Sequence, residues 1–368
     1  MKHHFKSILA LGLSITLLSA SLTGCSKPQR YSGQFMDVFD TVSMTIGFEK
    51  SEEKFQKLQD AAHQSLLTNH RLFDIYDDFS GINNLKTIND NAGKQPVKVD
   101  PAIIDLLKFG KEVYTLTDGR VNIAYGAVLR LWHEKREAGI ADPSHAELPD
   151  MNALKEAAKH TSIDDIVIDE TNSTVFLKDP EMSLDVGGIA KGYSVEAAGQ
   201  AVEKLGTDSG FLLNIGGNVK AIKKKADGSK WVVPVEDPAY KDTNSGTPYA
   251  ETTYLDGMSL VTSGDYERYY VVDGKRYHHI IDPTTLMPAQ YHRSVTILMK
   301  DSGLADALST ALFNMSTEDG KALIEKINNG QSNFQNTPHL SDTPIEAMWI
   351  EADGTKITTP GFTKYLKA

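Results

Sequence analysis

A single cysteine in 368 residues, Cys25, leaves the chain without an internal disulfide framework and without the ligands of a multi-cysteine zinc or iron–sulfur site. Basic charge is also short. The chain has 38 Lys and Arg against 49 Asp and Glu, for a net charge of −11. Nucleic-acid binders usually present a basic face, so no nucleic-acid partner is expected. The apolar run ILALGLSITLLSA at 8–20 is shorter than the roughly 20 residues a transmembrane helix needs. What remains is ordinary globular composition, 40% hydrophobic and 24% charged, which excludes wholesale disorder and collagen-like repeats. The length admits one large domain or two ordinary ones.

The N-terminus reads as an address. Lys2, His3, His4 and Lys6 precede the apolar run, as in a secretory signal. Leu22-Thr23-Gly24-Cys25 follows, with small residues before the lone cysteine, and is similar to a bacterial lipobox. The expectation is a signal peptide over 1–24, lipidation of Cys25, and a polar tether over 25–35. Acyl chains on Cys25 would hold the protein to the outer face of a membrane. Losing residues 1–24 removes two lysines and no acid, which takes the charge from −11 to −13.

Residues 36–368 contain no dividing linker and read as one intertwined α+β domain. The pattern predicts a strand over 36–48. An amphipathic helix follows over 51–77, carried by Phe55, Leu58, Ala62, Leu66 and Phe73. Asp100-Pro101 opens another helix, which ends before Gly119. Further helices are expected over 127–138, 150–159, 195–205 and 303–313. IVID and TVFLK form a hairpin at 166–178, and SLDV at 183–186 a short strand. FLLNI at 211–215 and SVTILM at 294–299 are strands, and Asp273-Gly274 marks a hairpin between 269–272 and 277–281.

Three stretches carry chemistry. Asp185-Val186-Gly187-Gly188-Ile189-Ala190-Lys191-Gly192 runs from a strand into a helix. Adjacent glycines admit a close ligand, a helix start offers free N–H groups to phosphate, and Lys191 adds a cation. On spacing alone this is equally a tight strand-to-helix turn. Asn214-Ile215-Gly216-Gly217-Asn218 places two more glycines at a strand end, where a turn or bulge is the simpler reading. The third stretch spans 262–313. There Asp306 and Thr310 share one helix face at i and i+4, a pair of hard oxygen donors suited to Mg²⁺. Spacing alone favours a plain helix, with Asp306 serving the dipole and Thr310 bonding back to a carbonyl. His278 and His279 are adjacent on a strand, so they point to opposite faces, one buried and one exposed.

Taken together, these stretches resemble the ApbE family of flavin transferases (FAD:protein FMN transferases). The likeness runs in order through Phe39-Asp40-Thr41, Thr117-Asp118-Gly119, LDVGGIAKGYSVE, NIGGN, TSGDYERYYVVDGKRYHHIIDP and ADALSTALF. It implies an ApbE-like, T-fold-related domain with mixed or antiparallel sheets and packed helices. It also implies a reaction. FAD is cleaved at its pyrophosphate, FMN is joined by a phosphoester to a Thr or Ser of an exported or membrane redox protein, and AMP leaves. Mg²⁺ is the metal such a phosphoryl transfer uses.

The family's residues carry over by motif. Asp306 and Thr310 match side-chain metal ligands, Gly188 a carbonyl ligand, and Ser309 a neighbouring, variable ligand position. Asp185, Lys191, Tyr76, Ile281 and Arg120-Val121-Asn122 fall where the family contacts FAD. So does Phe39, where many members have Met. Asn122 stands where many have Asp, and Ala124 where many have Thr. His279 matches the His before the Asp-Pro turn, expected near the pyrophosphate as a proton-transfer or charge-stabilising group. Two other functions fit the same residues: an FAD pyrophosphatase, or a flavin- or solute-binding lipoprotein without chemistry.

Overall fold

The computed structural model describes residues 27–331 and 343–367. The expected signal peptide and Cys25 lie outside the described residues. Among those described, no helix is long and apolar enough to cross a membrane.

The chain begins with β1 (Gln29–Phe35), β2 (Ser43–Glu49) and the long helix α1 (Glu52–Phe73). Next come α2 (Leu85–Asp90), β3 (Val97–Lys98), α3 (Pro101–Leu116), α4 (Gly126–Ala141) and α5 (Met151–Ala157). The middle holds β4 (Ile166–Asp169), β5 (Thr174–Leu177), α6 (Ala190–Leu205), β6 (Phe211–Ile215) and β7 (Asn218–Ile222). Then follow β8 (Trp231–Glu236), α7 (Pro238–Thr243), β9 (Tyr249–Leu255) and β10 (Ser259–Gly264). The hairpin β11 (Tyr269–Val272) and β12 (Lys275–His278) precedes β13 (His292–Met299) and α8 (Ser302–Phe313). The chain closes with α9 (Thr317–Asn328), β14 (Glu346–Glu351) and β15 (Lys356–Thr358).

One eight-stranded sheet, ordered β1-β2-β6-β7-β10-β13-β14-β15, organises the domain. Its neighbouring strands pair antiparallel. Both faces of its centre are covered, which is why FLLNI and SVTILM read as continuous apolar runs rather than alternating ones. On one face Phe211, Leu213 and Ile215 pack with Leu58, Leu66, Val195 and Ala198 of α1 and α6. On the other, Leu212, Leu260 and Leu298 pack with Trp231, Val233 and Phe362. α8 lies over β10 and β13, with Leu304, Leu308, Ala311 and Leu312 fully buried.

A buried ion pair sets the spacing of the helices that carry the site. Lys220 on β7 meets Glu196 on α6 at 2.9 Å, and the same carboxylate oxygen accepts from the Ser302 N–H at the start of α8. Such a pair holds position more than it adds stability, because both charges lose water. Gly192 brings the helices closer still. A Cβ there would lie 2.3 Å from the Asp306 Cβ and 2.4 Å from the Ser302 carbonyl oxygen.

The expected fold class stands: helices packed on antiparallel sheets. Several local expectations differ, among them the hairpin strand expected over 277–281, which is β12 at Lys275–His278 and leaves His279 past its end. The stretch expected as a tether is edge strand β1 from Gln29 onward, because its alternating residues pair along all of β2. The strand expected over 36–48 begins only at Ser43, after a loop in which Phe39 and Asp40 adopt positive φ. SLDV joins no ladder. Its Leu184 N–H and carbonyl both bond the Asn89 side-chain amide, at 2.7 and 3.1 Å, which replaces a neighbouring strand. The helix expected from 195 starts at Ala190, so Lys191 lies in its first turn rather than in the loop.

Candidate active site

The glycine-rich segment and α8 meet in matched steps. Gly192 packs on Asp306, and one turn earlier Gly188 faces Thr310, whose Oγ1 would lie 3.6 Å from an added Cβ. Residues four apart on one partner thus meet residues four apart on the other. No side chain caps the N-terminus of α6. Asp306 does that work from the neighbouring helix, its Oδ2 accepting from the Gly192 N–H at 2.7 Å. A carboxylate at a helix N-terminus meets free N–H groups and the positive end of the dipole.

The alternative roles open to α8 on spacing alone belong to its neighbours. Asp301, not Asp306, caps α8, accepting from Leu304 N at 2.7 Å. Ser309, not Thr310, bonds back, donating to the Asp306 carbonyl at 2.9 Å. Thr310 Oγ1 makes no hydrogen bond among the described residues. Ser309 also lies 2.7 Å from the Ser263 hydroxyl and faces β10, with its oxygen engaged twice.

Asp306 is nearly buried, and burial raises its pKa against the opposing pull of Lys191, the Gly192 N–H and the Asn218 amide. Asn218, at the first position of β7, is buried with both amide atoms lacking a well-formed hydrogen bond. Its influence on Asp306 is therefore that of a close dipole rather than a made bond. An orphaned amide beside a desolvated carboxylate and a free hydroxyl is a set of hard oxygen donors with spare capacity. Gly188, Asp306 and Thr310 thus fit a small hard cation that takes its remaining ligands from water or phosphate. Among the described residues there is no cluster of three His, Cys, Asp or Glu for a metal, so one carboxylate is all the set offers.

Lys191 extends from the first turn of α6 to the Gly216 carbonyl, at 2.8 Å. Gly216 and Gly217 both take positive φ and close β6 onto β7 as a two-residue hairpin. The turn reading of NIGGN is therefore correct, and the turn itself seats Lys191. Thr41 packs on Gly216, which brings the β1–β2 loop and Phe39 to the same edge. The Phe39 ring meets His70 edge-on at 5.5 Å.

His279 follows directly on the end of β12. Its neighbour His278 is buried and engaged, with Nε2 donating to the Ala289 carbonyl at 2.7 Å. His279 Nδ1 donates to the Arg268 carbonyl at 3.2 Å, since a carbonyl can only accept. That tautomer leaves Nε2 as the open, basic nitrogen. Burial, then the charges of Arg268, His278 and Arg136, lower its pKa to about 3.

Asp185 completes the cleft. Its Oδ1 accepts from the Gly187 N–H at 2.8 Å, and burial pushes its pKa up against His133, Arg136 and Arg268. Tyr76 stands at the mouth, over half exposed, with its ring 5.0 Å from that of His133. Burial and the charge of Asp185 raise its pKa to about 12. Asp185, Lys191 and His279 are each partly accessible yet strongly desolvated. Groups walled in on most sides but open on one are what a deep cleft produces.

At four further expected contact positions the polar side chains are engaged within the fold or the residue is buried. Arg120 donates to Asp282, Thr284 and the Asn314 carbonyl, tying the turn after β12 to the end of α8. Asn122 donates to the Thr161 carbonyl at 2.9 Å. Val121 and Ile281 are buried. A polar hollow of about 430 Å³ opens beside Arg120 and Asn122, but none of Asp185, Lys191, His279 or Asp306 lines it. Sequence reasoning did not single out Arg136, His133, Arg268 or Asn218. The last two sit inside motifs that were legible. Arg136 and His133 lie on the polar side of α4 and carry no local signal.

The fold agrees with the comparisons. A match to the ApbE family covers residues 38–334, and the chain belongs to that family. It is 31% identical over 256 residues to the FAD:protein FMN transferase of Klebsiella pneumoniae (strain 342), covering 68% of this chain and 75% of that one. It is 27% identical over 343 residues to the FAD:protein FMN transferase of Haemophilus influenzae, covering 89% and 92%. The crystal structure of the ApbE protein of Thermotoga maritima MSB8 aligns with a TM-score of 0.76 at 29% identity, over 92% of this chain and 100% of that one. The apo flavinyl transferase ApbE of Pseudomonas stutzeri shares the fold, with a TM-score of 0.71 at 24% identity over 93% of this chain and 98% of that one.

Proposed function

We propose that this chain is an FAD:protein FMN transferase that uses Mg²⁺, transfers FMN to a Thr or Ser hydroxyl of an exported or membrane redox protein, and releases AMP. The reading places the protein on the extracytoplasmic face of a membrane through a lipid on Cys25. The observation that carries the chemistry is the convergence of Asp185 and Lys191 of the glycine-rich segment with His279 and Asp306 of the 262–313 stretch on one desolvated cleft.

The roles follow from the geometry. Lys191 brings its ammonium to the diphosphate, oriented by the Gly216 carbonyl; burial lowers its pKa, and the negative diphosphate favours the protonated form. Asp185 accepts hydrogen bonds from the flavin or ribose part of FAD. His279 Nε2 takes the proton of the acceptor hydroxyl. The hydroxyl oxygen then forms its bond to the FMN phosphorus as the P–O bond to AMP breaks, and the electron pair leaves with AMP. An imidazole whose pKa is held near 3 in the empty cleft is a weak base. The two negative charges of the diphosphate oppose Arg268 and Arg136 and raise it toward a working value. Mg²⁺ held by Asp306, Thr310 and the Gly188 carbonyl would neutralise charge that develops on the phosphates.

The test is incubation with FAD, Mg²⁺ and a candidate acceptor. Transfer yields a fluorescent acceptor and one AMP per flavin attached. Free FMN with an unlabelled acceptor would mean that water replaces the hydroxyl, and bound, uncleaved FAD would mean a carrier.

A further inference from the structure

The loop between β10 and β11 is pinned on both sides of a two-residue gap. Before the gap, Asp265 holds Arg293 at 2.7 Å and Arg276 at 3.5 Å, and Tyr266 is buried. After it, Tyr269 lies under the Arg276 guanidinium at 4.2 Å, and Tyr270 is buried with its hydroxyl on the Glu147 carbonyl. Asp242 of α7 braces both arginines. Only Glu267 and Arg268 between them are exposed.

Arg276 and Arg293 are thus locked in ion pairs, whereas the Arg268 guanidinium has no ion-pair partner among the described residues. Its direction is not arbitrary. Tyr269 pairs with His278 at the end of the hairpin, so Arg268 falls opposite His279, and its carbonyl takes the His279 Nδ1–H at 3.2 Å. Its charge acts on Tyr76, on Asp185 and Lys191 of the glycine-rich segment, and on His279, which come from three different stretches around the cleft. A cation whose charge reaches Lys191 and a neutral imidazole, with no ion-pair partner among the described residues, is held ready for an anionic ligand.

We propose that Arg268 contacts the diphosphate of FAD and stabilises the charge that moves onto the departing AMP phosphate, while its own carbonyl sets the His279 tautomer. This rests on the transferase reading of the same cleft. A guanidinium suits the role because its planar fork can bind two phosphate oxygens at once. No proton leaves Arg268. It donates N–H bonds that shorten as the P–O bond breaks and the oxygen becomes more negative.

The experiment compares wild type, Arg268→Gln and Arg268→Lys in FAD and riboflavin binding, followed by flavin fluorescence, and in AMP release. Riboflavin carries no phosphate. Arg268→Gln should weaken FAD binding about 10-fold and lower kcat/KM about 100-fold, the range for a lost charged hydrogen bond that strengthens in the transition state. Riboflavin affinity should stay within about twofold of wild type in the same titration, because the flavin contacts remain. Arg268→Lys should recover more binding than rate, since charge returns without the fork. Equal losses for FAD and riboflavin would make Arg268 a loop brace and overturn the contact. So would unchanged FAD binding and turnover. Wild type that binds FAD no better than riboflavin would overturn the transferase reading itself, and the contact with it.

Discussion

Replacing Asp306 with Asn separates the two things this carboxylate does. The amide keeps an oxygen for the Gly192 N–H, so the cap on α6 survives. The negative charge is lost. Burial raises the Asp306 pKa above 3.8, so its ionised form is penalised in the fold and not in the unfolded chain. That penalty is absent below about pH 3.8 and grows in as the pH rises through the raised folded value. Without metal at neutral pH, Asp306→Asn should therefore be at least as stable as wild type.

Mg²⁺ should reverse the order. At a hundredfold excess over its dissociation constant, a ligand that binds only the folded state stabilises by about 2.7 kcal/mol. The described domain has 330 residues. At roughly 2.1 cal/mol/K per residue, that corresponds to a rise in Tm of about 4 °C. The assay is a melting curve across a Mg²⁺ titration, with AMP release measured on the same samples. Wild type should shift and Asp306→Asn should not, and turnover by the folded variant should fall by about two orders of magnitude or more. A folded variant with near-normal turnover and the wild-type Mg²⁺ shift would refute the metal assignment and leave Asp306 as a helix cap.

Three further predictions follow from neighbouring features. His279→Gln should lower transfer by about 100-fold or more with FAD affinity little changed; because the fold holds His279 neutral down to about pH 3, its unfolding free energy should also fall less steeply than that of wild type between pH 6.5 and 3, and parallel acid titrations would contradict the burial of this imidazole. Gly192→Ala should cost about 1–3 kcal/mol in urea unfolding, because its Cβ meets a backbone carbonyl at 2.4 Å, and unchanged stability would show that α6 and α8 can part. Cys25→Ala should release the protein from membranes or leave the precursor unprocessed on fractionation, and a mutant processed and retained like wild type would exclude the lipid anchor.

The parts legible in sequence were those written in local patterns. The period of Phe55, Leu58, Ala62 and Leu66 marked α1, and Asp100-Pro101 marked the start of α3, because caps and amphipathic spacing act within one helix. The motifs LDVGGIAKG, NIGGN, HHIIDP and ADALSTALF named the residues that meet in the cleft. They stood as separate strings, each with a plain structural explanation of its own. Only the tertiary structure decided between those explanations. It assigned the α8 cap to Asp301 and turned Asp306 toward α6, because Gly192 lets the two helices approach within reach of one carboxylate. It made the Gly216-Gly217 turn a seat for Lys191, and it gave SLDV a side-chain partner, Asn89, in place of a strand. Arg268 and Arg136 gained meaning in the same way. A surface arginine looks alike everywhere along a chain, and its field matters only where the fold gathers His279, Asp185 and Lys191 around it with little access to water.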